Sequence, residues 1–427
     1  MGLAPAGERD RGGREVPVRL LVVGAGLSGL VAARHVQSAG HEVVLLEARD
    51  RVGGRVLTVR DGLADGQYAD VGAEIIYHGQ LNIAALCEEL GLELTTELSL
   101  GTQTPDLIFN GQRLSPQASA EIAGELREAI RQVRPASYET VAQWLRRARV
   151  SQPAEMLLVA IAQGTPAAPL RLADAQELNL ELSWGKGYRK IRGGNDRLPG
   201  ELARGLDVRL DQEVRLVGWE DGGVTVEAER ETHRADRVLV TVPGPLLGEL
   251  GFSPPLPAGK VRALLQMRYG NGTRVVAQYA EREAVREAIG GGCFTDRMPG
   301  YVMEQTAQQP GDSIVVSGLA AGDVEPALQT EEKILDDFDQ TLSTVVGRRL
   351  RRTFGCVKNW TKDPYSRAVV RAPLGDQRET VLPVISAPVG GRVFFAGEHT
   401  DDRIGPGGME GAIKSAYRVA GEILAEA

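Results

Sequence analysis

The stretch Val18–Arg55, VRLLVVGAGLSGLVAARHVQSAGHEVVLLEARDRVGGR, decides the fold. Val18 to Val23 is a short apolar run of strand type. It turns sharply through Gly24-Ala25-Gly26-Leu27-Ser28-Gly29 into a helical pattern reaching about Ala39. Gly40 stops that helix, and Glu42 to Leu46 reads as a second buried strand ending at Glu47. A G-x-G-x-x-G is informative only in such a strand–turn–helix–strand setting. Gly24 permits the tight turn, and Gly26 lets the backbone approach a pyrophosphate at the helix N-terminus, where Leu27 and Ser28 follow. Gly29 lets helix and strand pack closely, and Glu47 stands where a carboxylate can take a ribose hydroxyl pair. The unit binds a dinucleotide, and the chain is of α/β class.

The continuation separates one dinucleotide from another. Ala48-Arg49-Asp50-Arg51-Val52-Gly53-Gly54-Arg55 follows Glu47 at once, and a nicotinamide enzyme has no need of a second glycine–arginine turn there. Taken alone, the run is an ordinary polar turn with surface arginines. In register with the first motif it resembles the flavin amine oxidase family (monoamine, polyamine and L-amino-acid oxidases), which carries E-A-R-x-R-x-G-G-R after its first β-α-β. The resemblance implies a Rossmann-like FAD-binding domain of the glutathione-reductase type, interwoven with a mixed α/β substrate domain. It implies FAD as cofactor, with Ala48, Arg49, Gly54 and Arg55 at the diphosphate.

Bulk properties narrow the field further. A chain of 427 residues holds two to three domains' worth of core. Acidic residues outnumber basic ones 57 to 49, for a net charge of -8 with no basic block, which argues against nucleic acid or an anionic membrane as partner. Cys87, Cys293 and Cys356 are far apart and without C-x-x-C spacing. They read as free thiols of a reducing compartment, and the five histidines are equally scattered, so no metal site is expected. Residues 1–16 are rich in glycine and charge and lack an apolar core, so a disordered tail is expected rather than a signal peptide. No segment reaches the roughly 20 apolar residues of a membrane span, and the chain stops just after its last helix, without a hydrophobic tail. Cytoplasmic placement is expected, and a homodimer is compatible with it.

Along the chain, strand-like and helical patterns alternate in blocks. Residues 17–80, 186–250 and 365–427 are assigned to the FAD domain, and 81–185 and 251–364 to the substrate domain. The first substrate block carries amphipathic helices at Pro116–Val133, Thr140–Ala148 and Ala154–Ala162. With no internal repeat or low-complexity linker, two domains woven by repeated crossings are expected.

The second strong motif is Phe394-Phe395-Ala396-Gly397-Glu398-His399-Thr400, followed by Gly407-Gly408-Met409-Glu410-Gly411-Ala412 opening a helix. A helix N-terminus aimed at a flavin stabilises negative charge on the reduced ring. The family ends similarly, which implies Gly397 and Glu398 by the diphosphate and ribityl chain, and Met409 and Ala412 near the isoalloxazine. Gly72, Ala73 and Glu74 belong to the loop that passes the flavin's active edge in the family. The same resemblance puts Val214 at the adenine, Pro243 in a turn near the cofactor, and Trp360 of Trp360-Thr361-Lys362-Asp363-Pro364-Tyr365-Ser366 beside the ring.

Departures from the family pattern bear on the substrate. Val369 stands where some members carry the cysteine that links FAD, so FAD is expected to be non-covalent. Val370 and Gly408 stand where an aromatic cage is usual, and Arg274 where the family has lysine. A guanidinium cannot lose its proton and so cannot replace a lysine–water relay; Arg274 is instead available for a substrate carbonyl. Glu74-Ile75 replaces the methionine–arginine pair of L-amino-acid oxidases, which argues against free amino acids. Glu74 is a candidate partner for a substrate N–H or a base; salt-bridging at the domain seam is its structural alternative. Tyr188 is a candidate proton donor whose alternative is packing between domains, and His78 reads as structural.

The expected reaction is oxidation of a C–N bond in a bulky amine or N-acylated substrate by hydride transfer to flavin N5, giving an imine and, with O₂, H₂O₂. That chemistry suits specialised metabolism such as antibiotic biosynthesis. A C–C desaturase of the phytoene or protoporphyrinogen type and a non-catalytic flavin scaffold or sensor are the alternatives.

Overall fold

A computed structural model describes residues 17–98, 106–164, 167–177, 187–324, 326, 328–372, 378–401 and 407–426. The expected disordered tail lies outside these residues. The opening stretch folds as strand β1 (Arg19–Val23), helix α1 (Leu27–Ser38) and strand β2 (Glu42–Leu46). β1 lies at the centre of a five-stranded parallel sheet. The strand order is Val393–Phe395, Arg237–Val240, β1, β2, Asp207–Arg209.

The unbroken apolar character of β1 follows from burial on both faces, as expected for strands of a parallel sheet. Leu20 and Val22 pack with α1, with helix Leu81–Glu89 and with the C-terminal helix Gly408–Ala425. Leu21 and Val23 face the other way. They pack with Val217, Val224 and Val226 of a four-stranded sheet (Val214–Glu220, Gly223–Ala228, Thr232–Ala235, Gly251–Ser253). Helix Leu81–Glu89, which opens the block assigned to the substrate domain, therefore shares the core of the nucleotide unit through Ile83, Leu86 and Cys87.

A seven-stranded mixed sheet forms the second layer system, in the order Arg352–Asn359, Gly272–Tyr279, Ile314–Ala321, Tyr301–Glu304, Gly292–Thr295, Leu107–Phe109, Gln112–Arg113. Helices Arg282–Ile289 and Glu331–Val346 cover one part of it through Val285, Ile289, Ile334 and Phe338. The helices Pro116–Gln132, Val141–Ala148 and Gln152–Gly164 form a separate apolar cluster around Trp144. Two of them start on side-chain caps: Ser115 accepts from Ala118 N, and Thr140 forms a reciprocal capping box with Gln143. Among the described residues, no helix is long and apolar enough to cross a membrane.

Candidate active site

The glycines of the first turn behave as two kinds of position. Gly24 has φ +103°, and a Cβ at Gly29 would stand 2.0 Å from Gly24 O, so both are demanded by the turn itself. At Gly26 a Cβ would meet nothing within 4 Å. That open space belongs to a cavity of about 1020 Å³. α1 begins there with Gly26 as N-cap, no side-chain cap and no acid in its first turn. Its first amides are thus left for an external anion.

Both carboxylate oxygens of Glu47 are fixed by backbone, Oε2 by Ala25 N at 2.7 Å and Oε1 by Arg49 N at 3.0 Å. Burial pushes the Glu47 carboxyl upward, and these backbone donors work against the rise. Arg55 Nη1 donates to Glu398 Oε1 at 3.1 Å and Val369 O at 2.9 Å. Burial raises the Glu398 carboxyl, but Arg55, His399 and Arg371 outweigh it and hold the group below its usual range. The guanidinium of Arg49 forks onto Asp363, at 3.0 and 2.5 Å, and reaches Ser366 Oγ at 2.9 Å. Arg49 thereby clamps the Asp363-Pro364-Tyr365-Ser366 turn against the nucleotide unit.

The residues expected at the cofactor line this one cavity, except Gly29. Gly24, Gly26, Leu27 and Ser28 lie with Glu47, Ala48, Arg49, Gly54 and Arg55. Gly72, Ala73 and Glu74 join Val214, Pro243, Trp360, Gly397, Glu398, Met409 and Ala412. Gly29 packs behind the turn. Trp360 is oriented by its Nε1, which donates to Val71 O at 2.8 Å. The free space at Gly26, the uncapped helix and the turns from both chain ends fit an elongated diphosphate-bearing group such as FAD. Val369 and Val370 also line the cavity.

Glu74 is 4% exposed, and both of its oxygens face cations. Lys190 Nζ donates to Oε1 at 2.6 Å, and Arg274 Nη1 stands 3.0 Å from Oε2, close enough for an ion pair but off the line of a hydrogen bond. Its backbone carbonyl accepts from Asn195 Nδ2 at 2.9 Å. Tyr188, the candidate donor, is 2% exposed and is not among the lining residues. It packs with Tyr301 and Met303, and burial beside Glu74 pushes its phenol far above the usual range. His78 lies at the rim, with a side chain 71% exposed.

The far wall, unread from sequence, is apolar and aromatic: Ile161, Phe294, Tyr301, Met303 and Leu319. Phe294 and Tyr301 are ring neighbours, with centroids 4.9 Å apart at 44°. They come from short strands of the seven-stranded sheet that carry no motif. Lys190 was missed for a related reason: it is 116 positions from Glu74, and only the fold joins them.

Three comparisons bear on this geometry. The family model described as flavin containing amine oxidoreductase matches residues 27–182 and 164–424. An L-amino-acid oxidase of Mus musculus is 30% identical over 450 aligned residues, covering 95% of this chain and 70% of that protein. Lysine-specific histone demethylase 1 homolog 1 of Oryza sativa subsp. japonica is 27% identical, over 96% of this chain and 52% of its own. Among solved structures, a putrescine oxidase bound to putrescine superposes with a TM-score of 0.81 at 22% identity, covering 96% of this chain and 99% of that one. A cyclohexylamine oxidase from Brevibacterium oxydans gives 0.80 at 20%, with the same coverage. The chain belongs to the flavin-containing amine oxidoreductase family and is an FAD-dependent enzyme.

Proposed function

We propose that the protein oxidises a C–N bond of a bulky amine or N-acylated substrate to an imine, with O₂ as final acceptor and H₂O₂ as by-product. The observation that carries this is the single cavity joining the glycine turns of both chain ends to an apolar, aromatic chamber. FAD, when bound, supplies the hydride acceptor. The remaining work is binding, orientation and exclusion of water by this chain's residues.

Gly26 and Gly54 offer close backbone approach, while Glu47 and the Arg55–Glu398 pair hold the dinucleotide end. Val369 carries no nucleophile for a covalent link, so the flavin is held non-covalently. Val370 and Gly408 leave the substrate end wide, and Phe294 and Tyr301 supply aromatic surface from another wall. Glu74 serves as an ionic brace, with one carboxylate oxygen on Lys190 and the other facing Arg274. Tyr188 serves as packing behind Tyr301. The same reading sets the enzyme in the cytoplasm, in specialised metabolism such as antibiotic biosynthesis, as a monomer or homodimer. Three thiols free of disulfides suit that compartment.

Anaerobic mixing of the yellow protein with a panel of amines, amides and polyenes tests the reading. Bleaching by a C–N substrate, with a carbonyl product after hydrolysis, is expected. A conjugated alkene formed without nitrogen loss would make it a desaturase, and a panel that leaves the flavin oxidised would make it a scaffold.

A further inference from the structure

A cation stands beside the apolar residues of the chamber. Arg274 projects from strand Gly272–Tyr279 and lines the cavity, with its side chain 12% exposed. Glu74, its counter-ion, is shared with Lys190, so both oxygens of that carboxylate are turned to cations. Lys358, the cross-strand neighbour of Arg274, has its own counter-ion in Asp363, at 2.6 Å, which Arg49 also holds. Asp70, the next acid in the cluster, spends Oδ1 on Thr58 and Asn195. Arg274 Nε is buried without a hydrogen-bond partner among the described residues.

A guanidinium presents five donors in a rigid plane and suits carbonyl and carboxylate oxygens. Beside apolar walls such a contact gains strength, while an ammonium brought to the same wall meets a fixed like charge. We propose that Arg274, braced on the Glu74–Lys190 pair, takes a carbonyl or carboxylate oxygen carried next to the reacting C–N bond. The chamber then selects oxygen-bearing amines or amides over plain amines. This rests on the C–N oxidation proposed above. In that reaction carbon gives up a hydride and nitrogen a proton, the C–N bond becomes C=N, and two electrons pass through the flavin to O₂. Arg274 exchanges no atom; it sets where the oxygen sits, and so which C–H faces the flavin.

The test uses three compounds on one skeleton: α-methylbenzylamine, its N-acetyl derivative and phenylglycine. The rate and concentration dependence of anaerobic flavin reduction are measured with wild-type holoenzyme, Arg274→Lys and Arg274→Met. Arg274→Lys keeps a cation for Glu74, and retained flavin absorbance reports that each variant is folded. One oxygen-bearing compound should outpace the plain amine by about tenfold or more. Preference for the N-acetyl compound identifies an acyl oxygen, and preference for phenylglycine a carboxylate. Both variants should weaken that compound's binding by about tenfold and so narrow or abolish its lead over the plain amine. The inference is overturned if the plain amine is reduced as fast as the others, or if the preference survives both substitutions. Should none of the three bleach the flavin, the C–N reading falls too, so the plain amine's behaviour tells the two failures apart.

Discussion

Asp70 shows what burial of the charge cluster does to a single residue. It is 1% exposed, and desolvation pushes its carboxyl up to about 6, with Lys190, Thr58 and the Asn195 amide pulling the other way. A carboxyl whose folded value lies above its ordinary 3.8 binds protons more readily in the folded state. Its contribution is therefore fully present below about pH 4 and lost as pH rises through about 6, a change of about 3 kcal/mol. Asp70→Asn should flatten the stability profile across that window; denaturant midpoints at several pH values would read it. An unchanged slope would remove Asp70 as its source. Glycines at fixed spacing announce backbone requirements in the sequence, which is why Gly24, Gly26 and Gly29 were legible. The Glu74–Lys190–Arg274 contact was not, because nothing in local spacing marks residues that only the domain crossing brings together. Glu74 was read with two roles open, and its geometry favours the brace.

At the scale of the element, α1 separates turn glycines from cradle glycines. Gly29→Val would drive a side chain into Gly24 O and should prevent folding or flavin uptake altogether. Gly26→Val has space in the protein itself, so it should keep a near wild-type thermal midpoint yet purify without flavin. A fully loaded Gly26→Val protein would displace the cofactor from this turn. Glu410 of the C-terminal helix accepts from Asn82 N at 3.2 Å, Asn82 Nδ2 at 2.7 Å and Ile83 N at 2.9 Å, capping helix Leu81–Glu89 from outside. Glu410→Ala should cost about 1–2 kcal/mol in denaturant unfolding; a loss within error would show the cap to be idle. Helices with caps or clear periodicity were legible in sequence. Arg378–Ser386 was not, since Pro383 inside it breaks the pattern. The short strands Gly292–Thr295 and Tyr301–Glu304 offer too few residues for an alternation to register.

Across the whole molecule, the two layer systems are tied at the turn following strand Arg352–Asn359. Burial raises the carboxyl of Asp363, but hydrogen bonds from Arg49 and Lys358 more than reverse this and hold it well below the usual carboxylate range. A depressed carboxyl stabilises the fold above its ordinary value near 3.8, and that stability drains as pH falls toward its folded value. Asp363→Asn should cost about 3 kcal/mol or more at neutral pH, leaving Arg49 unpaired, and should weaken flavin retention, as seen in denaturation with and without added FAD. Equal stability and retention would dissolve the clamp. That both chain ends give strands to one parallel sheet was legible, because nucleotide motifs stand at both. The aromatic chamber was not, since its wall is assembled from a sheet whose strands come from distant parts of the chain.

The central claim is that glycine turns from both ends of the chain close on one non-covalent FAD. Quantifying FAD released by acid precipitation of the purified protein tests it most directly. The account predicts yellow protein that yields about one FAD per chain in the supernatant, in keeping with a single built cradle. Colourless protein that takes up no FAD, or colour that stays in the pellet, would contradict it.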